Sequence, residues 1–151
     1  MRKECLNRRG RERGFSLVEF AASLALFLPV LIAVLYVTLE ASYGYTIKAN
    51  LDASVRKACR GLAIEYGKNP SITTDTTAQG TIFDTCIVNN FVNDKAQFST
   101  PTFDTTSPPG TVTLTVTYTS GSYGLPTFPN PDPLNLGPTF TIRSTSTYSL
   151  E

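Results

Sequence analysis

From Phe15 to Leu39 the chain reads FSLVEFAASLALFLPVLIAVLYVTL, 25 residues in which Glu19 is the sole charge. As a helix rising about 1.5 Å per residue this run is about 37 Å long, more than the roughly 30 Å hydrocarbon core of a bilayer. The 14 residues before it hold six Arg or Lys against Glu4 and Glu12, a net +4, so the rest of a chain whose total is +1 carries −3. A basic head followed at once by an apolar run reads as a cytoplasmic N-terminus with the remainder exported. A cleaved secretory signal also starts basic, but its apolar region is about 7 to 15 residues and ends in a small-residue cleavage site, which Leu39-Glu40-Ala41 matches poorly. A chain of 151 residues with one span committed to lipid keeps room for one small domain.

Export decides how the cysteines are read. Cys5 lies in the basic head, leaving Cys59 and Cys86 as an even pair in a compartment where disulfides persist. The expectation is a Cys59–Cys86 bond closing a loop of about 28 residues, a contribution of roughly 3 to 4 kcal/mol on the chain-entropy account. Two buried free thiols are the alternative. The chain has no His and no Trp, and it contains no C-x-x-C, which argues against zinc fingers, His-based catalysis and c-type haem. Its near-balanced charge points to no nucleic-acid partner.

Beyond the apolar run, Tyr43, Ile47, Leu51, Val55, Cys59, Leu62 and Tyr66 recur at spacings of 3 or 4, the stripe of an amphipathic helix. One continuous helix is expected, ending near Gly67 with Pro70 beyond it and with a kink or local unwinding at Pro29. Ser71 to Thr77 reads as a loop. Ile82, Phe83, Cys86, Ile87, Asn90 and Phe91 then give a short second helix, which the disulfide would clamp onto the first. The C-terminal third changes period: Thr111 to Thr119 alternates Thr with Val112, Leu114, Val116 and Tyr118, a strand with one wet face. Thr139 to Leu150 alternates similarly, with Phe140, Ile142, Tyr148 and Leu150 on one face, and Ala96 to Phe103 is a weaker strand interrupted by Pro101. Tyr118 and Tyr148 are expected in the core. Ser120 to Pro138, with prolines at 126, 129, 131, 133 and 138, is expected to be an exposed loop. The class is α+β, with a long N-terminal transmembrane and stalk helix, a short second helix and an antiparallel sheet of about three strands. The expected divisions are a basic leader (1–14), a transmembrane helix (15–39), an extramembrane helix (40–68) and a small extracytoplasmic domain (69–151).

Glu19 stands five residues after Gly14, inside a membrane helix where an ionised carboxylate costs a few kcal/mol and calls for a partner. A cut between Gly14 and Phe15 would supply one, since the new amino group on Phe15 is a cation within reach of Glu19 of the same or an adjacent subunit. The plainer alternative is that Glu19 complements the helix dipole near the headgroups.

Gly14-Phe15-Ser16-Leu17-Val18-Glu19 after a basic leader resembles the processing site of type IV prepilins. Val18-Glu19-Phe20-Ala21, Leu28-Pro29 and the segment from Leu51 to Arg60 (LDASVRKACR) resemble the TadE-like minor pilins of tight-adherence (Tad/Flp) pilus systems over roughly the first 66 residues. The resemblance implies a pilin-like fold in the bacterial inner membrane, single-pass, with the C-terminal domain periplasmic or extracellular, or in the pilus itself. Its implied partners are a prepilin peptidase, other pilins, Tad inner-membrane assembly proteins and the lipid bilayer. Gly14 and Phe15 would form the processing site and Glu19 would serve assembly. Arg56 and Arg60, one turn apart, match the family's arginine spacing as a partner contact, although a solvated helix face would look the same. A pseudopilin or minor pilin of another type IV pilus or type II secretion system, or a membrane-anchored binding domain, remain alternatives.

No Walker loop, nucleophile elbow, metal-ligand cluster or close carboxylate pair occurs, so neither an enzyme nor a cofactor is expected. Asp75, Asp84, Asp94, Asp104 and Asp132 read as solvated loop carboxylates more readily than as calcium ligands.

Overall fold

A computed structural model describes residues 2–87, 91–106, 108–125 and 140–150, with side chains described from Leu17 onward. Helix α1 runs Arg2–Lys68, α2 runs Thr76–Asp84, and three strands follow: β1 Thr102–Asp104, β2 Thr111–Thr119 and β3 Thr141–Ser149. The architecture is α+β: a long N-terminal helix, a short second helix and an antiparallel sheet ordered β1-β2-β3. Two compact units are present, Met1–Leu39 and Glu40–Glu151.

In the first unit every described residue from Leu17 to Leu39 is exposed. The helix begins within the basic head rather than at Phe15, and it continues through Pro29 without unwinding. A proline inside a helix removes its own hydrogen bond, here that to the Ala25 carbonyl, and the neighbouring bonds keep the helix continuous across it.

The second unit is built on the apolar stripe of α1. Ile47, Leu51, Val55, Cys59 and Leu62 are all buried, with Tyr43 and Tyr66 packed at the two ends of the stripe. They meet the inner face of β2, where Val112, Leu114, Val116 and Tyr118 are buried and alternate with half-exposed threonines. Each buried large side chain of this kind contributes on the order of 1.5–3 kcal/mol relative to leaving it in water. The register Val112↔Tyr148, Leu114↔Ser146, Val116↔Ser144 and Tyr118↔Ile142 puts those β3 residues on the same face. On the opposite face threonine hydroxyls pair across the strands, Thr113 with Thr147 at 2.9 Å and Thr115 with Thr145 at 2.8 Å.

Several sequence expectations are corrected here. Tyr148 shares the inner face but is 41% exposed, because it borders an open cleft beside Arg60 and Ile64, while Val112 across from it and Leu150 two residues on are buried. The weak strand expected at Ala96 to Phe103 shrinks to Thr102–Asp104, preceded by a single bridge from Phe98 to Val116. Pro101, which lacks a donor, separates the two. The second helix lies earlier than expected, because Asp75 caps it by accepting from the Thr77 and Ala78 N–H groups at 3.0 Å each. It ends before Cys86, and a 3-10 turn at Pro70–Thr73 occupies part of the expected loop. The proline-rich part of Ser120 to Pro138 lies outside the described residues.

Candidate functional site

The candidate residues of the sequence fall into two groups that the structure keeps in separate units. Gly14 and Phe15 are within the backbone of α1, and their side chains lie outside the described residues. Glu19 is exposed on α1, flanked by Leu17, Val18 and Phe20, which are 68% to 70% exposed. A carboxylate in such a setting is fully hydrated in water, and in lipid it needs a cation brought to it.

The other candidates sit on the later part of α1. Successive residues of a helix are about 100° apart around its axis, so Lys48, Asp52 and Cys59 fall within about 40° of one another. This face meets β3. Lys48 Nζ donates to the Arg143 carbonyl at 3.0 Å and pairs with Asp52 at 3.0 Å, while the Ser144 hydroxyl donates to the Asp52 carboxylate. Cys59 Sγ donates to the Ser146 carbonyl at 3.2 Å. The bond from Ser144 holds the Asp52 carboxyl below its ordinary 3.8, helped by the Lys48 ammonium and, more weakly, by Arg56. Burial pushes the Cys59 thiol above its ordinary value.

Helix α2 meets a different face. Lys57 Nζ donates to the Thr85 carbonyl at the end of α2 at 2.6 Å, and a methyl group placed on Gly61 would come within 2.9 Å of Ile82 Cγ2. Lys57 and Gly61 each lie about 160° around the helix from Cys59. The expected Cys59–Cys86 bond is therefore not formed: both thiols are free and buried, Cys59 turned to β3 and Cys86 at the foot of α2 beside the Thr85 hydroxyl. Close backbone approach at Gly61 and the Lys57 bond hold α2 instead.

Arg56 and Arg60 are exposed one turn apart, and Arg60 borders a cleft of about 280 Å³ with Ala63, Ile64 and Tyr148. Among the described residues no group of three acidic, His or Cys side chains is placed to hold a metal ion. The aspartates have local work instead. Asp75 caps α2, Asp94 and Gln97 form a capping box at the Lys95–Gln97 turn, Asp84 lies 3.9 Å from Lys95, and Asp104 accepts from Thr106.

No protein-family model, curated protein or solved structure matches the chain. Sequence reasoning missed the Lys48–Asp52–Ser144 cluster, although the Lys-x-x-x-Asp spacing was visible; its serine partner lies 92 residues away and left no local signal. The Arg60 cleft was half visible, through the arginine but not through Tyr148.

Proposed function

We propose that this chain is a membrane-anchored, pilin-like subunit, in the manner of the TadE-like minor pilins, which takes part in assembling a tight-adherence pilus after a prepilin peptidase cuts between Gly14 and Phe15. The observation that carries the proposal is the surface of α1 from Leu17 to Leu39. This helix is long and apolar enough to cross a membrane, and its large apolar side chains are 37% to 70% exposed with no protein covering them among the described residues. Apolar surface on that scale is stable only against lipid or against other apolar helices, and a pilin-like anchor uses both in turn. Glu19 within it needs a cation, and a freed Phe15 amino group is of the right charge and four residues away. The α+β unit beyond it, a helix laid on a three-stranded sheet, agrees with an exported head domain.

The deciding experiment is N-terminal sequencing of the mature chain recovered from membranes of the producing cell. A terminus at Phe15 is expected, and Gly14→Val should leave the full-length, unprocessed form. A mature terminus beyond Ala41 would establish a secretory signal peptide and remove the anchor.

A further inference from the structure

The end of the second unit that opens at Glu40 carries two exposed tyrosines. Tyr45 on α1 is 77% exposed. It lies two residues before Ile47 of the buried stripe, about 160° around the helix from it, and so stands on the side of α1 away from the sheet. Tyr123, 48% exposed, lies in the turn that follows β2. Tyr118, near the end of β2, hydrogen-bonds with Tyr43, and the Phe91 ring lies 5.7 Å from that of Tyr43 and 6.3 Å from that of Tyr118. The opposite end of β2, at Val112, stands across from Tyr148, which shares a cleft with Arg60 and Ile64. Strand β2 therefore runs back along α1 toward Glu40. From Tyr118 to Ser120 it advances about 6.6 Å, whereas Tyr43 is about 4.5 Å of helix from Glu40, so the turn comes level with Glu40.

The turn holds Tyr123 in a strained conformation. Its φ is 54°, in the left-handed region that a bulky side chain rarely adopts, between Gly121 and Gly124 at 69° and 67°. Leu125 is 4% exposed and its N–H donates to the Ser122 carbonyl at 2.9 Å, so the turn is fastened around the tyrosine while the ring itself stays half outside. An aromatic side chain kept where glycine is at ease, and outside the core cluster, calls for a contact beyond the fold.

We infer that the Glu40 end of the second unit rests on the lipid headgroups, with Tyr45 and Tyr123 as its interfacial anchors. Glu40 is the first residue past the apolar run, so an anchor ending at Leu39 holds this end of the unit at the bilayer. The headgroup layer is about 5–7 Å thick on each side. Tyr45 is about 7.5 Å of helix beyond Glu40, and helix side chains lean back toward the N-terminus, which brings its ring to about the level of Ala41. Tyrosine suits this depth, since its ring is apolar and its hydroxyl bonds to water or to headgroup oxygens. From Thr117 to Ile142 the sequence carries a single charge, Asp132, so little charge has to be held against the lipid. The two rings, one on α1 and one beyond the sheet, meet the surface at separate points and limit how the unit can tilt on it. The inference rests on the reading of α1 as a membrane anchor and names the lipid surface as a second contact of the chain.

The chain has no Trp, so single tryptophans report their depth without background. Four full-length variants are reconstituted into phosphatidylcholine and phosphatidylglycerol vesicles: Tyr45→Trp, Tyr123→Trp, Phe27→Trp at the middle of the apolar run, and Ile64→Trp. Ile64 is 51% exposed and about 36 Å of helix beyond Glu40. A nitroxide on the lipid headgroup should quench about half of the emission of the Tyr45→Trp and Tyr123→Trp chains, and none of that of Ile64→Trp. A nitroxide near the acyl-chain ends should quench Phe27→Trp most strongly. An unchanged circular dichroism spectrum confirms that each variant folds. Headgroup quenching absent from either tyrosine position would overturn the inference, and so would equal quenching of Ile64→Trp, which would mean that the unit lies along the membrane on its side. In both cases a quenched Phe27→Trp chain leaves the anchor standing. An unquenched one removes the anchor and the inference with it.

Discussion

Replacing Gly61 by alanine sets two effects of known sign against each other. In a helix interior Ala is favoured over Gly by about 1 kcal/mol, so an unobstructed Gly61→Ala would stabilise the chain. Here the added methyl would meet Ile82 Cγ2 at 2.9 Å, a distance that forces α1 and α2 apart or displaces a branched side chain with little freedom. Overpacking of this kind costs about 1–3 kcal/mol, so the expected result is a net loss of about 1 kcal/mol. Ile82 is partly buried, and Ile82→Ala alone should cost on the order of 1 kcal/mol. In that background the obstruction is gone and Gly61→Ala should stabilise by about 1 kcal/mol. The double-mutant cycle then closes with a coupling of about 2 kcal/mol and, more tellingly, with a reversal of sign. Denaturant unfolding of the purified full-length chain in detergent, followed by circular dichroism, measures all four corners. Stabilisation by Gly61→Ala in the wild-type background would refute the close approach of the two helices, and with it the account of how α2 is held.

Three further outcomes are expected. Asp52 is depressed below its ordinary 3.8 chiefly by Ser144, so its contribution to stability is present above that value and lost as pH falls below it. Ser144→Ala should cost about 1 kcal/mol at neutral pH, and the gap to wild type should narrow as pH falls below 3.8, a gap independent of pH being the contrary result. Cys59 and Cys86 should resist alkylation in the folded chain and label fully in denaturant, with peptide mapping showing both thiols free; a Cys59–Cys86 link would contradict their placement. Glu19→Gln should leave processing and the folded unit unchanged while impairing filament formation, with Glu19→Asp intermediate, when pilus yield is compared at matched protein levels. Normal filaments from Glu19→Gln would favour the helix-dipole role.

The legible parts of this fold are those whose period survives in the letters. The strand at Thr111–Thr119 and the stripe from Tyr43 to Tyr66 alternate at 2 and at 3 or 4 because a wet face and a dry face were both required of them. Helix α2 was displaced because TTAQGTIFD carries few apolar positions and its start depends on one cap, Asp75, in a threonine-rich stretch that reads as loop. The strand at β3 was legible, but not its polar inner position Ser144, whose hydroxyl donates to Asp52 of α1 where a core residue is anticipated. Cysteine parity gave a pairing but not a direction, and direction around α1 is what separates the two sulfurs. Of the candidate site, Glu19 and the arginines were visible as charges in context. The cleft beside Arg60 was not, since its walls come from α1 and from Tyr148 of β3, far apart in the sequence.

Gln97 ties an irregular stretch of chain to the sheet in a way that bears on how the unit is completed. Its side-chain oxygen accepts from the Asn93 and Asp94 N–H groups, and its amide donates to the Phe91 carbonyl and, more distantly, to the Thr117 carbonyl at 3.3 Å. The residue is 2% exposed, so this amide could not exchange its partners for water without the surrounding chain opening. Full satisfaction requires the 91–98 segment and β2 to be in place together. A single buried amide thus acts as a coincidence detector: neither the segment nor the strand reaches its final state alone, and an unstructured-looking stretch between two helical turns is bound into the cooperative unit of the sheet.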